Sequence, residues 1–140
     1  MKRIFFDTDP VYNCLRIEAP NPQGKFLAEL PPSATSVRLM DDHEIPADRT
    51  FRNAWKADFS IDMLKALSIA QAVVRDARAP KLAALDAEFM RAVEAGDQAK
   101  QAQIAAQKQR LRDATADTRL TNAQTPDALK AAMQAVIAGL

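Results

Sequence analysis

The chain has 140 residues, of which 19 are basic and 18 acidic, for a formal charge of +1. That balance argues against a general electrostatic grip on nucleic acid or on an anionic membrane surface. The length suits one domain, or a small domain with a helical appendage, and its core needs no disulfide, metal or cofactor. Cys14 is the only cysteine, so neither an internal disulfide nor a thiolate zinc cluster is expected, and a reducing cytosol is the simplest place of folding. No stretch approaches the roughly 20 apolar residues of a membrane span. The start, MKRIFFDTDP, lacks the apolar region of a signal peptide, so a soluble chain is expected.

The chain changes character near residue 60. Six of the eight prolines and seven of the eight aromatic residues precede that point, whereas 22 of the 28 alanines follow it, so two structural regimes are joined. In the first, Arg3–Phe6, Cys14–Ile17 and Ser36–Met40 are short runs rich in β-branched or aromatic residues, bounded by Asp, Asn, Pro and Gly. They predict three strands, the first two forming a hairpin turned through Thr8 to Asn13. Between the second and third, Pro22 to Leu30 predicts a short helix, started by Asn21 and stopped by Pro31 and Pro32. From Asp41 to Asp58 the chain is polar with Phe51 and Trp55 embedded in it. If that segment is helical the two rings share a face, and they are expected to anchor it onto the small sheet.

Asp62 to Asp113 is almost free of helix breakers and predicts a helical hairpin. Asp62 caps the first helix, and Met63, Leu67, Ala70, Val74 and Ala77 follow at the spacing of one apolar face. The stripe resumes beyond Pro80 as Leu82, Leu85, Phe89 and Val93, one residue out of phase, so Pro80 either kinks one helix or opens a second. Gly96 suits a left-handed helix end and Asp97 can cap the return helix. Ala114 to Gln124 reads as a loop. Thr125, Pro126 and Asp127 then form a start signal for a last helix, whose apolar face is Leu129, Met133 and Val136 or Ile137. Such a short helix needs something to dock on.

Three groups of residues invite a chemical reading. Phe5-Phe6-Asp7-Thr8-Asp9 is an apolar run ending in Asp-x-Asp, and Leu39-Met40-Asp41-Asp42 is a second run ending in paired acids. Together they resemble the nucleophile and magnesium corners of haloacid-dehalogenase-like phosphatases. Val11 stands where that pattern has Thr, and the interval from Asp7 to Asp41 is too short for the intervening strands and lysine. Asp7, Asp9, Asp41 and Asp42 are therefore expected to be turn and cap residues, a role Asp favours through local backbone hydrogen bonds. His43 is the only histidine, has no second histidine to share a metal with, and reads as an exposed loop residue. Arg75, Arg78, Lys81, Lys108, Arg110 and Arg112 are interleaved with Asp76, Asp86, Glu88 and Asp113, which reads as a solvated face rather than a nucleic-acid footprint.

One resemblance spans more of the chain. Ile45 to Trp55 (IPADRTFRNAW), Asp62-Met63 with Lys65-Ala66, Arg75 to Asp86 (RDARAPKLAALD), Phe89 to Ala92 (FMRA) and Lys108 to Asp113 (KQRLRD) occur in that order. This series, over residues 35–130, resembles a group of small, mostly uncharacterised proteins of tailed bacteriophages and prophages, some labelled phage tail, tail-fibre or virion structural proteins. The resemblance implies a phage setting and carries no catalytic residues.

The expected fold class is α+β, mainly α: a small N-terminal antiparallel region of three short strands, an Ala-rich helical hairpin and a C-terminal helix. The expected division is residues 1–58, a docking region and linker, and 59–140, the hairpin and last helix. The expected function, on the resemblance, is that of a non-enzymatic virion structural protein of the tail or head–tail region. It would fold in the host bacterial cytoplasm, reside in the virion, and bind other virion proteins near the tail or portal. The alternative is a tail or fibre assembly chaperone or adaptor absent from the mature particle. An Ala-rich stripe buries little area per residue, so a homo-oligomer is expected. Phe51, Trp55, Leu67, Val74, Leu82, Leu85, Phe89 and Val93 are the candidate packing and interaction residues, with no catalytic, metal-binding or cofactor-binding residue among them.

Overall fold

A computed structural model describes every residue of the chain except Leu27. Its elements, in order, are β1 (Lys2–Asp7), β2 (Cys14–Glu18), β3 (Ala34–Met40), α1 (Met63–Glu94), α2 (Gln98–Asp113), α3 (Thr118–Thr121) and α4 (Pro126–Ala138). The class is α+β, mainly α. Two compact units, Met1–Ala66 and Leu67–Leu140, divide the chain within α1 rather than before it.

In the first unit the three strands form an antiparallel sheet in the order β2-β1-β3. The β1–β2 hairpin closes on Asp9, whose carbonyl accepts from the Tyr12 and Asn13 amides and whose carboxylate accepts from the Val11 amide at 2.8 Å. Strand pairing sets Ile4 opposite Ile17 and Phe6 opposite Leu15, which collects one apolar face. Onto that face pack Ile45, Trp55, Phe59 and Ile61, making the core of the unit. The register with β3 shifts between Ile4 and Phe6, where Ser36 has φ 54°; the extra residue on β3 bends this edge strand.

The segment expected to form a short helix between β2 and β3 turns instead. Asn21 Oδ1 accepts from the amides of Gln23 (3.1 Å) and Lys25 (2.8 Å), and Gly24 takes φ 74°. An Asx turn closed by a left-handed glycine competes locally with helix and wins here; of the expected span, Leu27 lies outside the described residues. The polar stretch before α1 is likewise built from single 3₁₀ turns, Asp42–Glu44 and Arg52–Ala54. Trp55 bridges to Ile61 across a tight reversal in which Phe59 has φ 66°.

In the second unit α1 runs unbroken through Pro80, so the proline neither ends the helix nor opens another. Gly96, at φ 68°, terminates α1: the Gly96 amide donates to Val93 O and the Asp97 amide to Ala92 O, the two bonds of a Schellman end. Asp97 then caps α2 by accepting from the Lys100 amide at 2.9 Å. The hairpin seam is zipped by Gln101 Nε2 donating to Ala92 O (3.2 Å), by Lys108 paired with Asp86 and lying over the Phe89 ring, and by Gln71 Nε2 donating to Thr115 O (3.1 Å).

The expected loop after α2 holds two helical turns. Ala114–Ala116 is 3₁₀, and α3 follows, capped by Asp117. Leu120, buried in α3, is what holds this turn in place, and α3 packs on α4. Thr125 Oγ1 caps α4 by accepting from the Ala128 amide at 3.2 Å. Leu129, Met133 and Val136 are the residues α4 buries. No helix among the described residues is long and apolar enough to cross a membrane.

Candidate interaction groove

The residues singled out in the sequence fall into three environments. Phe51, Trp55 and Val74 are buried, while Leu67, Leu82, Leu85 and Phe89 are half-buried along α1. Val93 stands 45% exposed, and Ala92 takes the buried position at that level. The seam runs Leu82, Leu85, Phe89, Ala92, at spacings of three, four and three. Extending it by four to Val93 overshoots the face by one residue.

The two acid pairs are not brought together. Asp7 ends β1, whereas Asp41 follows Met40, which pairs with Lys2 at the other end of the same strand. Five residues of rise, at about 3.4 Å each, separate them by about 17 Å. Lys2 pairs with Asp42 at 3.5 Å, and the Asp41 amide donates to Glu44 Oε2 at 2.8 Å. The antiparallel sheet thus places at opposite ends the acids that a phosphatase of the resembled kind needs at one end. His43 is exposed in its 3₁₀ turn, and no cluster of three His, Cys, Asp or Glu among the described residues could hold a metal.

Asp7 makes the local backbone bond expected of a turn residue, to the Asp9 amide, and does more besides. It is 1% exposed, accepting from Ser33 Oγ at 2.6 Å, from the Asp9 amide at 3.1 Å and from Arg16 Nη1 at 3.2 Å. It therefore ties the end of β1 to the approach of β3. The Ser33 hydroxyl leads in holding its carboxyl below the ordinary value of 3.8, with the Asp9 amide and Arg16 assisting and burial opposing. A lowered folded-state pKa contributes stability that is complete above the unfolded-state pKa and is lost as pH falls through the folded one. Acid should therefore destabilise the first unit below about pH 4, and Asp7→Asn should lower its stability at neutral pH while flattening that acid limb. Urea titrations followed by Trp55 fluorescence at neutral and acid pH check both effects.

The basic cluster divides by role. Arg78 Nη1 donates to Leu111 O at 3.0 Å and also reaches Arg112 O, so it caps the carboxyl end of α2, where a cation is favoured. Lys108 is engaged by Asp86. Lys81 and Arg110 instead line an open groove of about 810 Å³ formed by α1, α2, the turn after α2, α3 and the end of α4. Leu85 and Leu140, with Leu111 and Val136 behind them, supply its apolar surface, and Ala84 and Ala114 leave it room. On its rim, Arg119 Nε and Nη2 donate to the two oxygens of Asp117 at 3.0 and 2.8 Å. Those bonds, with the Arg119 backbone amide donating to the same carboxylate at 2.9 Å, lower the Asp117 pKa to about 2 against the opposing effect of burial.

Sequence reasoning named Leu85 on this groove, and weighed Lys81 and Arg110 only as a solvated face. Val136, with Ile137 as its alternative, was read as part of the apolar face of the last helix, and the wall from Ala114 to Arg119 comes from the segment read as loop, where the start signal at Asp117 was the available clue. No protein-family model, no curated protein and no solved structure matches the chain.

Proposed function

We propose that this protein is a non-enzymatic structural component of a bacteriophage tail or head–tail region, working through contacts with other virion proteins. The phage setting rests on the ordered series of motifs from Ile45 to Asp113 that resembles small tailed-phage proteins. The observation that favours a contact-making role is the thinness of the hairpin. From residue 83 to 104 the buried residues of α1 and α2 are Ala92 and Ile104, while Met90 and Val93 are exposed. Full burial of one alanine and one isoleucine, with Leu85 and Phe89 only half-buried, stabilises a two-helix arm weakly, so association with a neighbouring protein or a second copy would complete its core. The near-neutral charge favours partners read by shape over nucleic acid or membrane. In this reading the protein folds in the host bacterial cytoplasm and ends in the virion, near the tail or portal.

Quantitative mass spectrometry of purified particles tests the reading. A fixed stoichiometry that matches the rotational symmetry of the tail is expected. Absence from particles, with abundance in infected-cell lysate, would overturn it in favour of an assembly chaperone or adaptor for tail or fibre proteins.

A further inference from the structure

We propose that the groove between the α1–α2 hairpin and the α3–α4 segment is a docking cleft for one amphipathic helix of a partner protein, bearing acidic side chains beside its apolar face. Docking of this kind presupposes that the protein works through protein–protein contacts, and it specifies the chemistry of one such partner.

The volume, about 810 Å³, lies within the range of clefts that bury a drug-sized ligand, room for more than one side chain. Half-buried Leu85 and Leu140 line the groove, with the buried side chains of Leu111 and Val136 behind them, an apolar floor of the kind on which a helix lays its apolar face. Helices, the turn between α2 and α3 and the two residues after α4 form its walls, with no strand among them. An extended peptide would lose solvent from its backbone groups there without gaining a strand to pair with, whereas a helix satisfies its own.

Charge selects among helices. Of the acidic side chains on the groove, Asp117 is paired with Arg119 through two bonds, while Asp113 keeps its charge and accepts from the side-chain amide of Gln109 at 2.8 Å. Lys81 on α1 and Arg110 on α2 have no carboxylate partner among the described residues. The groove therefore offers two cations without an ion-pair partner against one carboxylate, Asp113, that is likewise not in an ion pair, and glutamates set beside Lys81 and Arg110 on the partner's helix complement the excess.

The test uses the full chain and three fluorescein-labelled peptides of about four helical turns: one with Leu anchors flanked by Glu, one with every Glu replaced by Lys, and one with the Leu anchors replaced by Ser. Fluorescence anisotropy should show saturable binding of the Leu/Glu peptide alone. The double variant Lys81→Glu/Arg110→Glu should weaken that peptide by about tenfold, the effect of two partly exposed ion pairs, and take up the Leu/Lys peptide instead. Ala84 is exposed, so Ala84→Trp should fold normally, verified by circular dichroism, and abolish binding by filling the groove. Equal binding of the Glu and Lys peptides, no binding of either, or binding unchanged by Ala84→Trp would overturn the proposal. So would displacement of the peptide by laurate at comparable concentration, which would make the groove a site for small amphiphiles. None of these outcomes bears on whether the protein is found in particles, so the two readings fail separately.

Discussion

Replacing Trp55 with alanine should destabilise the N-terminal unit by about 3–5 kcal/mol, the usual cost of removing a fully packed aromatic side chain. Trp55 is 3% exposed and packs in one cluster with Ile4, Leu15 and Ile45. Phe59 meets it edge to face, with ring centroids 5.3 Å apart and planes at 89°, and Arg49 lies over its ring. Phe59 holds a left-handed backbone conformation that costs a residue with a bulky side chain of order 1 kcal/mol; the contact with Trp55 offsets that strain. Loss of the indole therefore removes packed area and also releases the reversal between Trp55 and Ile61. Since small units have stabilities of about 5–15 kcal/mol in total, much of the cooperative transition should disappear. Urea unfolding followed by far-UV circular dichroism is the measurement, because the substitution removes the only tryptophan. A loss below about 1 kcal/mol, the level of an ordinary surface change, would mean that this ring does not organise the core.

Leu120→Ala should cost the second unit about 2–5 kcal/mol. Its helix, α3, has four residues, far below the length at which a helix persists alone. The turn is held by its cap, Asp117, and by the burial of Leu120 against its surroundings, and α4 packs directly on it. Without the leucine side chain α3 should unravel and α4 should lose one of its supports. Hydrogen exchange should show this as faster exchange across Pro126–Ala138, with the amides around Gly96 much less affected. The comparison variant Met90→Ala, at an exposed position of α1, should change stability by less than about 0.5 kcal/mol.

What could be read from the sequence was local. The caps Asp62, Asp97 and Thr125 and the terminator Gly96 each act on amides or carbonyls within a few residues, and each occupies its expected place. Strand identities were legible for the same reason, since alternation and turn residues lie within one short segment. The placement of β1 between β2 and β3 was not, because the β1–β3 pairing joins residues about 30 apart and no local pattern encodes it. Pro80 left two outcomes open: a proline disfavours a helix interior, but it sits in a run of good helix formers that continue on both sides. The Asp7 network escaped notice because its main partner, Ser33, arrives with β3. For the groove the missing information was long-range too, since Leu85, Leu111 and Val136 come from three different helices.

The strand order has a consequence for how the chain comes to its fold. β1, the middle strand, precedes both of its neighbours in the chain. During synthesis its first edge is covered as soon as Cys14–Glu18 emerges, but its second edge stays open until Ala34–Met40 has cleared the ribosome. Throughout that interval the nascent hairpin presents unpaired backbone groups beside the apolar residues Ile4 and Phe6, the kind of edge that recruits other strands. Slow reading of the downstream codons translated while Ala19–Met40 leaves the ribosome would lengthen this exposure, and fast reading would shorten it.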